Sequence, residues 1–364
     1  MTDYPYHLTI SSSVSTEYSL VGRGGTDSIC ILGFADTAYP QQVYKVTDMN
    51  QAFADFTGST TLNSSLLQGL MAAYYAGGRD FYLYAVGDMD EWVAPASRDG
   101  SWHTLLEARY TTALEEIAEW DDIDILVPYD AEPTPTYNYV EQFSDACSGA
   151  SGLLRLAIIP YYGDEDTVFD GESLHVVLVD GTGTFDMWKS TDIFVSHSYD
   201  GNMAPVFAGM LSRMDTNVPP DNRKIKVPVA FSSSYEGEEE TLETNRIVGF
   251  RKTTNYKRNS DGELVTTLCR TRSEDGSDYQ SLYVVHTVMR LLRDIDDLDL
   301  IGTPAVIAKD TLKEFFNAWV VKGYAINIEA SFVLKPYEMD VIATLYLFYP
   351  IGEITVSFTV GPLA

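Results

Sequence analysis

Residues that could perform catalysis are few and widely spaced in this sequence of 364 residues. The turn G-x-S-x-G, which exposes a serine nucleophile in many hydrolases, does not occur. The five histidines, none of which has an obvious base role, are His7, His103, His175, His197 and His286. His175 and His197 fall in strand-like stretches, where histidine is more often structural. We therefore assign no catalytic residue and expect the protein not to be an enzyme.

Sequence patterns that would hold a metal ion or a nucleotide are also missing. Neither H-x-x-x-H nor paired C-x-x-C is present, so a zinc site is not indicated. Acidic residues at 164–166 and 170 are similar to a calcium loop, but Val168 stands at a ligand position, which favours an acidic surface turn. The glycines at 22–25 lack the lysine and hydroxyl of a P-loop and precede a strand. The sequence predicts no metal and no cofactor.

Composition argues against several classes of partner. The 53 acidic residues outnumber the 24 basic ones, giving a net charge of −29 that repels nucleic acid, so no nucleic-acid partner is expected. No apolar stretch approaches the roughly 20 residues that span a bilayer, and the N-terminus lacks a signal-peptide layout. The three distant cysteines, Cys30, Cys147 and Cys269, indicate no disulfide framework. We expect folding in a reducing cytoplasm and no membrane insertion.

One region of this acidic chain is rich in basic residues. Eight of the 24 basic residues lie close together in the sequence, at Arg223, Lys224, Lys226, Arg246, Arg251, Lys252, Lys257 and Arg258. In so acidic a protein this group predicts a basic docking patch for an acidic surface, including that of another copy of the chain. The alternative is a charged surface that balances the acidic residues at 236–240.

From residue 26 to about 215, the spacing of apolar residues switches repeatedly between the period of a strand and that of a helix. This switching indicates an α/β layer architecture. Strands are predicted at 28–34, 80–86, 124–127, 153–159, 175–179 and 192–195, and helices at about 48–56, 64–76, 102–119, 137–148 and 202–213. The apolar runs at 123–127 and 156–159 are typical of a buried, largely parallel sheet.

A change in character at about 216–235 indicates a crossing between two domains. Pro219, Pro220 and Pro228 lie there among basic residues, and prolines disfavour both helix and central strand. Beyond it, Asp261-Gly262 predicts a turn into a strand at 263–270, followed by helices at about 278–297 and 309–322.

Both ends of the chain alternate apolar and polar residues, as strands do. The apolar positions are Tyr4, Tyr6, Leu8 and Ile10 near the start, and Ile354, Val356, Phe358 and Val360 near the end. Gly22, Gly24 and Gly25 follow the first segment and indicate a flexible tether. Because an exposed strand edge is a template for another chain, each end strand must close its own sheet or add to a neighbour's.

Motifs over nearly the whole chain follow the order of one known family. They lie at 29–35, 43–46, 77–86, 114–117, 123–128, 155–160, 341–350 and 353–360, with Phe53 and Phe56 on the first helix. The most specific segment is 203–215, Met-Ala-Pro-Val-Phe-Ala-Gly-Met-Leu-Ser-Arg-Met-Asp, followed by Pro219-Pro220. Together these segments resemble the tail sheath proteins of contractile-tailed phages, pyocins and related injection systems. The family's usual Ala-Pro-x-Asn is replaced here by Pro-Pro-Asp-Asn at 219–222.

The resemblance implies a fold class. It is an α/β outer domain with a largely parallel sheet, inserted before an inner α+β domain, with extended N- and C-terminal β arms. The expected divisions are an N-terminal arm at 1–20, the outer domain at 21–220, the inner, polymerising domain at 221–340 and the C-terminal strands at 341–364. The chain is short for this family, so extra outer domains are not expected.

The resemblance also implies a function. Sheath subunits polymerise into helical stacks of hexameric rings around a tail tube and contract, which drives the tube through the envelope of the target cell. The chain ends of one subunit are expected to join the inner sheet of its neighbours by strand addition. Such links can act as hinges during contraction, and Gly22, Gly24 and Gly25 fit a hinge. The implied partners are other copies of the chain, the tail tube protein, and the baseplate and tail terminator proteins. The implied location is the virion tail, assembled in the host cytoplasm.

Two other interpretations are kept open. One is a monomeric α/β binding module or enzyme with a site at the carboxyl ends of its parallel strands. The other is a different structural tail component, such as a tube or baseplate protein. Tube proteins are generally β-rich barrels, so the α/β pattern at 26–215 argues against a tube.

Overall fold

The chain forms two compact units. The computed structural model describes residues 6–9, 27–36, 41–56, 64–134, 136–137, 139–148, 155–162, 173–187, 197–221, 223–225, 230–232, 239–252, 264–272, 282–298, 300, 303–335, 339–347 and 353–360. Unit 1 consists of Met1–Gly25, Asp215–Pro219 and Ser273–Ala364, and unit 2 of Thr26–Met214 and Pro220–Arg272. The first and last segments of the chain therefore belong to the same unit.

Strands and helices alternate along most of the described chain. The strands are β1 (Tyr6–Thr9), β2 (Ser28–Ala35), β3 (Tyr44–Val46), β4 (Asp80–Asp88), β5 (Ile125–Pro128), β6 (Leu156–Tyr161), β7 (Val176–Asp180), β8 (Thr182–Met187), β9 (His197–Asn202), β10 (Ala230–Ser232), β11 (Ile247–Val248), β12 (Phe250–Lys252), β13 (Leu264–Thr266), β14 (Asn327–Leu334), β15 (Met339–Tyr346) and β16 (Glu353–Val360). The helices are α1 (Met49–Phe56), α2 (Ser65–Ala76), α3 (Gly100–Ile117), α4 (Tyr139–Cys147), α5 (Ala204–Ser212), α6 (Glu239–Thr244), α7 (Leu282–Asp296) and α8 (Ala305–Val321).

Unit 2 is built on a seven-stranded sheet in the order β11-β7-β6-β5-β2-β4-β3. All of its neighbouring strands are parallel except β3, which is antiparallel to β4. Strands β2, β5, β6 and β7 are buried along their whole length. Their continuous apolar runs suit a sheet covered by helices on both faces. The predicted α/β region with a largely parallel sheet is thus confirmed.

Helices cover both faces of this sheet. Cys30 and Leu32 of β2 belong to a core cluster with Leu106 of α3. The intervening Ile31 lies against Gly69 of α2. Because successive strand residues point to opposite faces, α2 and α3 pack on opposite sides of the sheet.

Strands β8, β9 and β10 of unit 2 form a small sheet that has no counterpart among the predicted elements. β8 and β9 form an antiparallel hairpin, and β10 adds to β8. β9 was not predicted because its sequence, His-Ser-Tyr-Asp-Gly-Asn, contains a single large apolar residue and so lacks the pattern of a strand. The strand predicted at 192–195 and the turn predicted at Asp261-Gly262 lie outside the described residues.

The chain divides differently from the sequence-based division near residue 220. Pro220–Arg272 belong to unit 2, not to the unit that contains the C-terminal strands. The physical reason is strand pairing, since β11 adds to β7 in parallel and extends the large sheet. Only Asp215–Pro219 and the residues after 272 join the end strands in unit 1.

Unit 1 contains an antiparallel four-stranded sheet in the order β1-β16-β15-β14, together with α7 and α8. Val341, Ala343 and Leu345 of β15 are buried, whereas Ile342 between them is exposed. This alternation shows that one face of the sheet is covered and the other faces solvent. The two helices are linked by Trp319, whose Nε1 donates a 2.9 Å hydrogen bond to Asp294.

Candidate assembly site

The two ends of the chain meet in the sheet of unit 1. β1 is antiparallel to β16, with Tyr6 opposite Phe358 and Leu8 opposite Val356. β16 in turn pairs with β15 along all eight of its residues. The segments predicted from their alternation to be end strands are therefore strands, and they are neighbours.

The register of β16 places its apolar positions opposite buried residues of β15. Ile354, Val356, Phe358 and Val360 lie opposite Leu345, Ala343, Val341 and Met339 respectively. These four partners on β15 are all buried. A slip of one residue would place the polar positions of β16 opposite them, so burial fixes the register.

Both edges of this sheet present backbone groups that another strand could use. β1 pairs with only four of the eight residues of β16. At the other edge, β14 has no further strand beside it among the described residues. Val333 and Leu334 near the end of β14 are 56% and 43% exposed, and Ile342 on β15 is 45% exposed. Such an edge is a template for strand addition.

The residues proposed for the intersubunit arms are only partly within the described chain. Tyr4, Ile10 and the hinge glycines Gly22, Gly24 and Gly25 lie outside it. In this single chain, β1 and β16 close the chain's own sheet, which is one of the two outcomes that their patterns allow. Addition of these strands to a neighbour's sheet stays a prediction.

Four of the eight residues of the predicted basic docking patch flank β13 of unit 2, two on each side. Arg223, Lys224, Arg251 and Lys252 are exposed. Lys224 and Arg251 both lie opposite Val265, on the two sides of β13. We call these four residues the basic ribbon. They are grouped by strand pairing between segments that are distant in sequence.

The other members of the predicted patch are placed differently. Arg246 is half-buried, and its guanidinium donates to the backbone carbonyl of Arg272. Its φ of 56° lies in the left-handed region, where it ends the turn between α6 and β11. Lys226, Lys257 and Arg258 lie outside the described residues.

The carboxyl ends of the parallel strands, where the alternative interpretation predicts a ligand site, carry a buried polar cluster. The chain leaves β2 toward β4 and then crosses back to β5, so the sheet's switch point lies between β2 and β5. Asp130 follows β5 there. Its carboxylate accepts hydrogen bonds from Ser65 Oγ at 2.6 Å, Trp92 Nε1 at 2.8 Å and Arg98 at 2.9 Å.

This cluster is closed to solvent. The side chains of Arg98 and Asp130 are 4% and 1% exposed, and Arg98 also reaches Glu132 at 3.3 Å. Burial raises the pKa of Glu132, and the nearby Arg98 charge opposes that shift. The position at which open α/β sheets bind ligands is thus occupied here by side chains of the chain itself, which are hydrogen-bonded to one another.

Nucleophilic and basic side chains elsewhere in unit 2 are held in their neutral forms. Burial raises the pKa of both Cys30 and Cys147 to about 12, so these thiols are not the thiolates that react. Burial lowers the pKa of His175 to about 4, and it also lowers the pKa of His103. The His103 ring accepts or donates one hydrogen bond, with Tyr139 Oη at 3.0 Å from Nδ1.

Metal-binding clusters and membrane-spanning helices do not occur among the described residues. No group of three or more histidine, cysteine or acidic side chains there is arranged to hold a metal ion. None of the helices in that part of the chain combines the length and apolarity needed to cross a bilayer.

Two features of these sites were missed in the sequence. Asp130 stands two residues after Pro128 at the end of a predicted strand, a position that could have signalled the polar cluster. β14 was also missed, although Ile328, Ala330 and Phe332 alternate with polar residues over 327–332.

Comparisons with known sequences identify no relative. No protein-family model matches this chain. No curated protein matches it either.

Comparisons with solved structures give matches over nearly the full chain. A sheath tail protein from Listeria innocua is 9% identical with a TM-score of 0.67, covering 94% of this chain and 96% of that one. The contracted helical sheath of the anti-feeding prophage is 13% identical with a TM-score of 0.56, covering 100% and 97%. The contracted sheath complex of an extracellular contractile injection system, PVC, is 12% identical with a TM-score of 0.60, covering 96% and 95%. This chain has the fold of the contractile tail sheath proteins, as its sequence resemblance predicted.

Proposed function

We propose that this chain is a structural sheath subunit, which polymerises around a tail tube and contracts. The observation that carries the proposal is the extent of the structural match. It covers 94% of this chain and 96% of the Listeria innocua sheath tail protein, so it includes both units and leaves little of either chain unmatched. An enzyme or binding module built on the α/β unit alone would not need the second unit with its end strands.

In this proposal, β1 and β16 are exchanged between copies. Each end strand leaves its own sheet and takes the equivalent place in the sheet of a neighbour. The main-chain hydrogen bonds and the register with β15 would be the same in both arrangements, so exchange costs few contacts. The buried positions opposite β16 supply the side-chain specificity for this strand.

The chain has enough length for such an exchange. Eighteen residues, 10–27, separate β1 from β2, and six residues, 347–352, separate β15 from β16. At 3.3–3.6 Å per residue, the first connection can span up to about 60 Å and the second about 20 Å. A terminal strand can therefore reach an adjacent subunit while the two units of its own chain stay folded.

The further details of the proposal follow the sheath family. The copies would form stacked hexameric rings, and contraction would move rigid units about the strand links, with Gly22, Gly24 and Gly25 as hinges. The proposed partners are the tail tube, baseplate and tail terminator proteins, and the location is a virion tail assembled in the host cytoplasm. The filled switch point around Asp130 supports a structural role for the α/β unit.

Electron microscopy of the purified chain in negative stain tests the proposal. The expected result is tubes of uniform diameter at high protein concentration. A variant without residues 1–9 loses β1 but keeps the β14-β15-β16 pairing, so it should stay folded and form few or no tubes. A control without residues 361–364, which lie beyond β16, should form normal tubes. A wild-type chain that stays monomeric at every concentration would overturn the sheath assignment, and normal tubes without β1 would overturn the role of that strand.

A further inference from the structure

Helix α8 of unit 1 has an exposed face with an apolar side chain at each end. Val306 near the start of the helix and Val321 at its end are 62% and 87% exposed, the highest values among the large apolar side chains of the described chain. Val321 follows about four turns after Val306, so both lie on the same face. The positions between them on this face are polar and exposed, and they are Asp310, Lys313, Glu314 and Asn317.

The charged residues of α8 repeat the same sign along the helix. Lys309 is followed one turn later by Lys313, and Asp310 by Glu314. Like charges four positions apart repel one another in an isolated helix. None of these four side chains has an ion pair within the part of the chain that the structure describes. The helix therefore carries a positive row and a negative row side by side, without opposite charges from its own chain.

The one described contact of the two lysines leaves their charge in place. Lys309 Nζ and Lys313 Nζ lie 5.7 and 5.9 Å from the centre of the Phe332 ring on β14. Both distances are near the limit of about 6 Å for a cation–π interaction, and the ring has no net charge to offset the two ammonium groups. The positive row keeps its charge, and Lys313 is exposed.

The exposed face is complementary to itself when two copies lie antiparallel. A two-fold axis midway between Lys313 and Glu314 places Lys313 of each copy opposite Glu314 of the other, which forms two pairs of opposite charge. A parallel arrangement would instead place each of these residues opposite its own equivalent, so like charges would meet. The charge pattern thus favours the antiparallel arrangement.

The same axis also matches the rest of the face. Residues at equal distances from the axis meet, so Val306 of one copy lies opposite Val321 of the other, about 11 Å along the helix from the axis. Asp310 lies opposite Asn317, whose amide can donate a hydrogen bond to the carboxylate. Apolar, charged and amide positions therefore each meet a partner of suitable chemistry in a second copy of this chain.

We propose that α8 pairs antiparallel with α8 of a second copy and so holds unassembled chains as dimers. Because both copies use the same face, the contact closes at two copies and cannot repeat. A sheath that drives a tube in one direction is polar, so it has no such two-fold axis between its subunits. The pair therefore has to separate before a copy enters a tube. This role rests on the proposed sheath function, whereas the pairing itself does not.

The test uses two single variants of the full chain, Lys313→Glu and Glu314→Lys. Each turns both central charge pairs into like-charge contacts, which should raise the dissociation constant of the dimer by about tenfold or more. Sedimentation velocity below the concentration that forms tubes measures it, and circular dichroism verifies folding. Lys252→Glu on β12 and Glu115→Lys on α3 make the same charge changes at exposed positions of unit 2, so these controls should dimerise as the wild type does.

The chain that carries both substitutions is the decisive variant. Exchange of the two charges restores opposite signs across the axis, so its dissociation constant should return to about that of the wild type. The two single variants should also form mixed dimers when combined in equal amounts. A wild type that stays monomeric below the tube-forming concentration would overturn the pairing, because the face then serves another partner. Failure of the exchange to restore the dimer would overturn the antiparallel arrangement.

Tube formation tests the role of the pair separately. Because dimers compete with assembly, both single variants should form tubes at the wild-type concentration or below it. If they need a higher concentration than their controls, α8 acts in the tube and the storage role is overturned. Dimers in a wild type that never forms tubes would overturn the sheath proposal and still support the pairing.

Discussion

His7 lies directly opposite Ser357 in the antiparallel pairing of β1 with β16. Residues from the two ends of a 364-residue chain are thus hydrogen-bonded neighbours in one sheet. The pairing joins the first described strand to the last, while most of the sequence between them forms the separate α/β unit. The backbone hydrogen bonds between two strands are the same whether the strands belong to one chain or to two. The sheet can therefore be completed within one copy or between copies.

Cysteine pairs across these strands distinguish the two arrangements. Opposite residues in antiparallel strands have Cα atoms about 4.5–5.5 Å apart, which is compatible with a disulfide. A chain with His7→Cys and Ser357→Cys should cross-link within one chain when oxidised as monomer. Oxidation of assembled tubes should instead give covalent oligomers on non-reducing gels. The native Cys30, Cys147 and Cys269 are all buried, so they should not compete.

A second pair serves as the control for this cross-linking. Glu329 lies opposite Thr344 between β14 and β15, which belong to one continuous hairpin. Cysteines at these two positions should cross-link within the chain in both monomer and tube. If positions 7 and 357 form exclusively intramolecular cross-links in tubes, the end strands stay in their own sheet and the exchange is contradicted.

The sequence predicted the end strands well because their signal is local. Alternation over 353–360 marks β16 from its first to its last residue. The partners of these strands were not predictable in the same way, since β1 and β16 are about 350 residues apart and local pattern holds no information on pairing at that distance. The same reason explains residues 220–272, whose β11 joins the large sheet by a long-range pairing with β7.

The candidate surfaces were predictable only in part. Clustering in sequence indicated the basic patch, but strand pairing across β13 decided that Lys224 and Arg251 lie on either side of Val265. The buried cluster around Asp130 depends on Ser65 at the start of α2 and on Trp92 and Arg98, both in the connection between β4 and α3. No spacing rule connects such residues before the strand order is known.

Removal of one partner of the buried ion pair between Arg98 and Asp130 should strongly destabilise unit 2. Asp130→Ala removes the acceptor for Ser65, Trp92 and Arg98 and leaves a buried guanidinium with Glu132 as its remaining carboxylate. Breaking a buried pair in this way should lower the free energy of unfolding by about 3–5 kcal/mol, measured by urea denaturation. Asp122→Ala, which breaks the exposed pair with Lys45, should cost at most about 1 kcal/mol. Equal effects of the two substitutions would contradict this assignment.

Gly209 permits the close packing of α5 against α2. A Cβ atom at this position would overlap the backbone carbonyl of Ala73, which cannot move without shifting α2. Gly209→Ala should therefore destabilise the chain by about 1–3 kcal/mol, seen as a lower midpoint in thermal unfolding. Gly100→Ala is the control because a Cβ there meets only the hydroxyl end of the Tyr137 side chain. The sequence motif at 203–215 would lose its structural explanation if Gly209→Ala were as stable as the control.

His175 should make the stability of the chain depend on pH between 4 and 6.5. Burial lowers the pKa of its imidazole from 6.5 to about 4, and a hydrogen bond to the Arg155 backbone only partly opposes this shift. Nδ1 meets no hydrogen-bond partner among the described residues, so the folded chain favours the neutral ring. Within this pH range the unfolded chain binds more protons than the folded one, which means that stability rises with pH.

The stabilisation by neutral His175 is therefore complete above pH 6.5 and is lost as the pH falls through 6.5 toward 4. A shift from 6.5 to about 4 corresponds to a change of about 3 kcal/mol. A His175→Gln variant lacks this titration, so the difference in unfolding free energy between wild type and variant should change by up to that amount between pH 7 and pH 4. Urea denaturation at both pH values measures it. Because the double difference cancels the other titrating groups, a constant difference would show that His175 is solvated and titrates normally.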